Sequence, residues 1–205
     1  MPKTAEQFQE IKDERRNRIL VASLRLFAVR GYDSTTISDI TTAASCSHGL
    51  FYHYFASKEE VFHVLIENSL EQSSRPDFTS NLDREKDSPT VLLKAGISWI
   101  LDQLVKQDSD FPYYLYIFLN IHFQKTIPAP RKANTQRKHP FLMVRDLVKR
   151  GQEIGEFEKG DPSEYAMSLF ALLRGMTYVR VTTPQEFHAP SVDIVVNLFL
   201  RKERS

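Results

Sequence analysis

The chain has 205 residues, 41% of them hydrophobic, and a net charge of +1, enough for one domain or for a small domain fused to a larger one. The near-neutral balance excludes a strongly basic nucleic-acid coat, and the single cysteine, Cys46, excludes a disulfide framework and a thiolate-rich metal site. The N-terminus lacks an apolar signal-peptide core and no apolar run approaches the ~18 residues of a membrane span, so a soluble, cytoplasmic protein with no membrane partner is expected.

After Pro2 there is no proline until Pro76, so the first third can be helical with short turns. Ile19, Ala22, Leu26 and Val29 follow the spacing of one helix face, and Gly31 supplies a stop. This first helix is predicted to start between Ala5 and Lys12 and to end near Arg30. Thr36, with Asp39 in capping-box position, opens a second helix that runs only to about Ala44, where S-C-S interrupts. Ser47 caps a third, ending near Tyr54. Ser57 with Glu60 forms another capping box and opens a longer helix.

Ser88-Pro89, a cap followed by a first-turn proline, opens a helix through Trp99 to about Val105. Asp110 and Pro112 open the next, F-P-Y-Y-L-Y-I-F-L-N-I-H-F. The basic segment I-P-A-P-R-K-A-N-T-Q-R-K-H-P reads as a solvated loop. Pro140 begins a helix that Gly155 terminates. Asp161, Pro162 and Glu164 form a further cap set for a helix to about Val181, and Pro190 opens the last. No strand alternation is sustained, so the fold is expected to be all-α with about nine helices.

Two short helices joined by a turn form a helix-turn-helix, whose second member enters the DNA major groove. Ile40, Ala43, Ala44 and Phe51 would pack the pair, leaving His48, Leu50, Tyr52 and His53 to face DNA. At these residues the chain resembles the TetR family of bacterial transcriptional regulators. The family pattern T-T, I-A-x-x-A-G-V-S-x-G, a leucine or phenylalanine, Y-x-x-F and S-K-E-E is met here by Thr35, Thr36, Ile40, Ala44, Ser47, Gly49, Phe51, Tyr52, Phe55, Ser57, Lys58, Glu59 and Glu60. The match covers about residues 13 to 62, with a weaker echo at G-Q-E-I-G-E-F-E-K-G-D-P and A-M-S-L-F-A-L-L-R-G-M.

The resemblance implies a helix-turn-helix DNA-binding domain over 1–58 and an effector-binding and dimerisation domain over 59–205. It adds Thr35, Thr36, Ser47 and Gly49 to the DNA-facing residues. Two departures stand out. The turn glycine of the family is Ser45, which places a side chain where φ > 0 is needed, at a cost of about 1 kcal/mol. A frequent phosphate-binding threonine is Leu50. The charges between Arg30 and Lys58 cancel, so binding leans on backbone N–H groups, hydroxyls and Lys58.

Tyr113, Tyr116, Asn120 and Phe123 share one helix face, with Trp99 on the preceding helix as a wall; they are the candidate lining for an apolar or aromatic effector. Two C-terminal helices are apolar nearly all round, which calls for a second buried side. A second copy of the chain supplies it, with Ala171, Gly175, Val195 and Phe199 as the interface. His48, His53 and His63 lack ligand spacing and a carboxylate in register, so no metal or cofactor is expected. No catalytic motif is present and the chain is read as a non-enzyme. The expectation is a homodimeric repressor that binds a double-stranded operator and is released by a small molecule. The alternatives are a helical small-molecule enzyme, or a protein-interaction module that keeps the helix-turn-helix only as structure.

Overall fold

A computed structural model describes residues 5–72, 82–83, 85–121 and 140–201. Among these residues nine helices form and no strand, only an isolated antiparallel bridge between Phe157 and Leu200. The chain divides into two compact units, Met1–Ser73 with Tyr113–Arg131, and Ser74–Pro112 with Lys132–Ser205.

The first unit holds α1 (Ala5–Arg30), α2 (Ile37–Ala43), α3 (His48–Tyr54), α4 (Lys58–Gln72) and most of α6 (Phe111–Ile121). α1 ends where Gly31 takes φ 86°. α2 starts at Thr36, whose hydroxyl accepts from the Asp39 N–H while the Asp39 carboxylate accepts from the Thr36 N–H, the reciprocal pair the sequence predicts. α3 is capped by the Ser47 hydroxyl, which accepts from the Leu50 N–H. At α4 the Ser57 hydroxyl accepts from the Glu60 N–H, but the Glu60 carboxylate reaches one residue further back than a capping box requires, to the Ala56 N–H.

The core of this unit is Ile19, Leu20, Leu24 and Phe27 of α1, Ile40, Ala44, Phe51 and Phe55 around α2 and α3, and Val61, Phe62, Leu65 and Ile66 of α4. Tyr114 and Ile117 of α6 complete it. The boundary expected between residues 58 and 59 thus falls in the first turn of α4, a helix whose apolar face shares one core with α1–α3.

The second unit holds α5 (Pro89–Val105), α7 (Pro140–Glu153), α8 (Pro162–Thr182) and α9 (Val192–Val196). α7 packs on α8, and α5 packs on α7 and α9. The Ser88 and Asp161 caps and the prolines after them stand where the sequence puts them. Gly155 ends α7 with φ 82°. The last helix starts later than its proline suggests: Ser191, not Pro190, is its cap, and it lasts five residues. The chain then pairs with the α7–α8 turn, the Glu158 N–H donating to the Phe199 carbonyl at 2.8 Å and the Arg201 N–H to the Glu156 carbonyl at 3.1 Å. The proline-bounded basic loop and Phe123 lie outside the described residues.

Candidate nucleic-acid interface

α3 has seven residues, with Phe51 facing inward and Phe55 following as its C-cap; both are fully buried. His48, Gly49, Tyr52 and His53 are exposed, and Leu50 is half-buried. Tyr52 is 55% exposed and its ring stands edge-on to Phe51 at 5.4 Å, which fixes its direction away from the core. The His53 ring meets Tyr54 edge-on at 4.9 Å. In the turn before α3, Ser45 takes φ 50°, the left-handed value expected where the resembling family has glycine. Cys46 follows, half-buried, with burial raising its thiol pKa.

Gly49 is informative because nothing inside the protein requires it. A Cβ there would meet only the Ser47 Oγ, at 3.9 Å, and its backbone is not left-handed. Glycine in a helix costs about 1 kcal/mol relative to alanine. No contact inside the protein accounts for a glycine at this position.

Two of the residues expected to face DNA turn inward instead. Thr35 is fully buried and its hydroxyl donates to the Gly31 carbonyl at 2.8 Å. The Lys58 ammonium donates to the carbonyls of Tyr32 and Thr35, each at 2.8 Å, and lies over the Tyr32 ring. The physical reason is shared. The loop between α1 and α2 carries backbone carbonyls outside any helix, at Gly31, Tyr32 and Thr35, and it obtains donors for them from Thr35 and Lys58. Thr36 is exposed, but its hydroxyl donates to Asp39 at 2.6 Å. These bonds from the Thr36 hydroxyl and N–H hold the Asp39 carboxyl below its usual range. Arg30 also pairs with Asp39, at 3.4 Å.

Sequence reasoning missed the place of Arg16, whose guanidinium lies over the Phe55 ring at 5.0 Å and so joins α1 to the end of α3. The signal is only an arginine on an amphipathic face. His63 has a carboxylate the sequence reading did not register: Glu59, one turn back, lies 3.4 Å from its Nε2. Among the described residues no group of three or more His, Cys, Asp or Glu is placed to hold a metal ion. No helix among them is long and apolar enough to cross a membrane.

The residues expected to line an effector site fall in both units. Trp99 packs edge-on against Phe111 at 5.0 Å within the second unit. Tyr113, Tyr116 and Asn120 lie on the part of α6 that belongs to the first unit. The Tyr113 ring packs against the DNA-binding core and has the Arg25 guanidinium 5.6 Å from its centroid. Tyr116 is half-buried and Asn120 is buried.

The residues expected at a dimer interface also separate. Ala171 and Gly175 are exposed on α8, and a Cβ at Gly175 would meet nothing within 4 Å. Val195 and Phe199 are sealed inside the protomer, with the Phe199 ring 5.6 Å from Tyr165 and 6.2 Å from Phe157. The short α9 lies on α5, so residues 195, 196 and 199 face inward and Ile194 and Leu198 face out.

Residues 19–65 match the family model for bacterial regulatory proteins, tetR family. The chain is 29% identical over 160 residues to the HTH-type transcriptional regulator YfiR of Bacillus subtilis, covering 75% of this chain and 73% of that protein. It is 45% identical over 166 residues to the regulator YerO of the same organism, covering 81% of this chain and 54% of that one. The crystal structure of AibR in complex with isovaleryl coenzyme A and operator DNA has the same fold, with a TM-score of 0.64 at 18% identity over 89% of this chain and 94% of that one. The helix-turn-helix and the likeness to these regulators agree: residues 19–65 are a segment of the type found in bacterial regulatory proteins of the tetR family.

Proposed function

We propose that this chain is a homodimeric repressor that binds an operator through α3 and is released by a small apolar or aromatic effector. The observation that supports DNA recognition most directly is α3 itself, with Phe51 inward and His48, Gly49, Tyr52 and His53 outward. A glycine with no internal role, flanked by hydrogen-bonding rings, suits a surface against which a phosphate backbone and base edges close. Ser47 and Thr36, at the starts of α3 and α2, flank that surface; Leu50 offers an apolar edge of the kind that meets a thymine methyl. Thr35 and Lys58 support the site from within.

Dimerisation rests on a second glycine of the same kind. Met167, Ala171, Gly175 and Tyr178 share one exposed face of α8, while Ala166, Leu169, Leu173, Thr177 and Val181 bury the other. A mid-helix glycine with open space beside it suits the close approach of another helix. The partner helix is that of a second copy, which sets two α3 helices about 34 Å apart, or a multiple of that, for successive half-sites.

The effector reading rests on α6. Tyr114 and Ile117 sit in the DNA-binding core, while Tyr116 and Asn120, four residues apart, line a different face of the same helix. An occupant of that second face biases the helix and, with it, the core that positions α3. AibR, which shares the fold, was captured with both a ligand and operator DNA.

The test uses a duplex selected from a random pool by the wild-type chain. Tyr52→Ala is expected to weaken specific binding by about 1–3 kcal/mol while leaving the melting temperature unchanged. Gly49→Ala is expected to stabilise the fold and weaken binding together. Normal affinity in both variants would overturn the assignment of α3 to the DNA.

A further inference from the structure

Asn120 has an unusual hydrogen-bond state. It is 3% exposed, and its Nδ2 donates to the Tyr116 carbonyl one turn back, at 2.7 Å. That bond fixes the amide: turned over, it would set oxygen against oxygen. The Oδ1 atom is therefore directed away from its own helix, and it is buried with no hydrogen-bond donor among the described residues. A buried acceptor without a donor destabilises the fold, so this oxygen calls for a donor that the described residues do not supply.

The position narrows what supplies it. Asn120 shares a helix face with Tyr116, so aromatic and amide groups are presented together. It lies three residues beyond Ile117, which is in the DNA-binding core. A group that engages Asn120 therefore acts on a helix whose packing is shared with α1–α4. The Oδ1 atom accepts and does not donate. A carboxylate, phosphate or ketone oxygen placed there would meet acceptor with acceptor, and an O–H or N–H would complete the bond.

We propose that Asn120 is a specificity-determining residue that holds its side-chain carbonyl for a neutral O–H or N–H donor on the effector. The effector class is thus an apolar or aromatic molecule with a hydroxyl or an unsubstituted N–H, in preference to its methylated counterpart. This rests on the ligand-responsive reading above and adds the polarity of one contact to it.

The experiment compares 4-butylphenol with 4-butylanisole and indole with 1-methylindole, on the full chain and on Asn120→Leu. Thermal melting reads binding, and release of the selected operator duplex reads response. The donor-bearing member of at least one pair is expected to raise the wild-type melting temperature by about 2–4 °C more than its methylated partner. That difference is expected to vanish in Asn120→Leu, which itself melts at or above the wild-type temperature because an unpaired acceptor has been removed. Equal or absent shifts from both members of both pairs in wild type would overturn the proposal without any need for the variant to fold. So would a donor preference that survives in Asn120→Leu, or a variant that melts lower, since the amide then has a structural partner such as a buried water. Release of the duplex by both members alike would overturn the Asn120 assignment and leave the effector reading standing.

Discussion

The Lys58 ammonium donates to the carbonyl of Tyr32 at 2.8 Å and lies 4.2 Å from the centroid of the same residue's ring. One cation thus satisfies the backbone and the aromatic face of a single residue 26 positions earlier. It fastens the first turn of α4 to the loop between α1 and α2, with a second bond to the Thr35 carbonyl.

Lys58→Met is therefore expected to act on the fold. Loss of two charge-assisted bonds and a cation–π contact, with the carbonyls partly rehydrated, predicts a stability loss of about 1–3 kcal/mol in urea. The dependence of DNA affinity on salt is expected to keep its wild-type slope, because a phosphate contact would remove about one unit from it. A lower slope with unchanged stability would return Lys58 to the DNA surface.

Gly151→Ala sets two effects against each other. Alanine gains about 1 kcal/mol in a helix interior. Here, however, the added Cβ would clash with the ring of Phe157, a fully buried side chain. Overpacking of this kind costs about 1–3 kcal/mol, so the net effect is expected to be destabilising. Adding Phe157→Leu to Gly151→Ala is expected to cost less than the two single changes summed. Strict additivity in chemical denaturation would show that the ring moves aside freely.

Gly175→Leu and Phe199→Ala are expected to separate assembly from folding. A Cβ at Gly175 meets nothing within 4 Å, so leucine is expected to fit the protomer there and to block a close helix crossing. Sedimentation should show a monomer whose helical content matches wild type and whose operator affinity falls with the loss of its second attachment. Phe199→Ala, at a fully buried ring, is expected to lower protomer stability by about 3–5 kcal/mol. A folded dimer in the first variant would move the interface away from this face of α8.

Glu156 carries a pH prediction. Its Oε2 accepts from the Ser88 hydroxyl at 2.8 Å, the Thr90 N–H at 2.9 Å and the Thr90 hydroxyl at 2.8 Å, tying the start of α5 to the turn between α7 and α8. Partial burial pushes its pKa up, but the bonds from Thr90 and Ser88 together with nearby Arg150 outweigh that and hold it below the usual glutamate range. A carboxyl depressed in the fold contributes stability that is present above the unfolded value of about 4.3 and is lost as pH falls through the folded one. Glu156→Gln is expected to be less stable than wild type at pH 7, with the gap closing below about pH 4. A gap that stays constant from pH 7 to pH 3 would show that the charge at 156 contributes nothing.

The helices of the first unit were legible because their ends carry local chemistry. Thr36, Ser47 and Gly31 each act on backbone within four residues of themselves, so their roles are written in short sequence windows. The same holds for Ser45, whose left-handed backbone follows from the turn it occupies. The burial of Thr35 and the inward turn of Lys58 were not legible. Thr35 neighbours Thr36, and a polar residue beside a helix cap reads as exposed. Lys58 finds its partners 23 and 26 residues away, and nothing local announces them.

The apolar C-terminal helices show the same division. Their composition by itself set the expectation that more than one side is covered, because burial of an all-round apolar helix needs neighbours on several faces. Only the tertiary structure decided which residues face which neighbour. Val195 and Phe199 enter the protomer's own core because α9 lies on α5, and Ile194 and Leu198 are left outside. Likewise the sequence determined a helix-turn-helix through caps and turn geometry. That α6 contributes Tyr114 and Ile117, each more than forty residues beyond the end of α4, to the core of that motif is decided by packing alone. Capping and turn preferences act between neighbours along the chain, whereas packing joins residues by distance in space, and hydrophobicity says that a side chain is buried without saying against what.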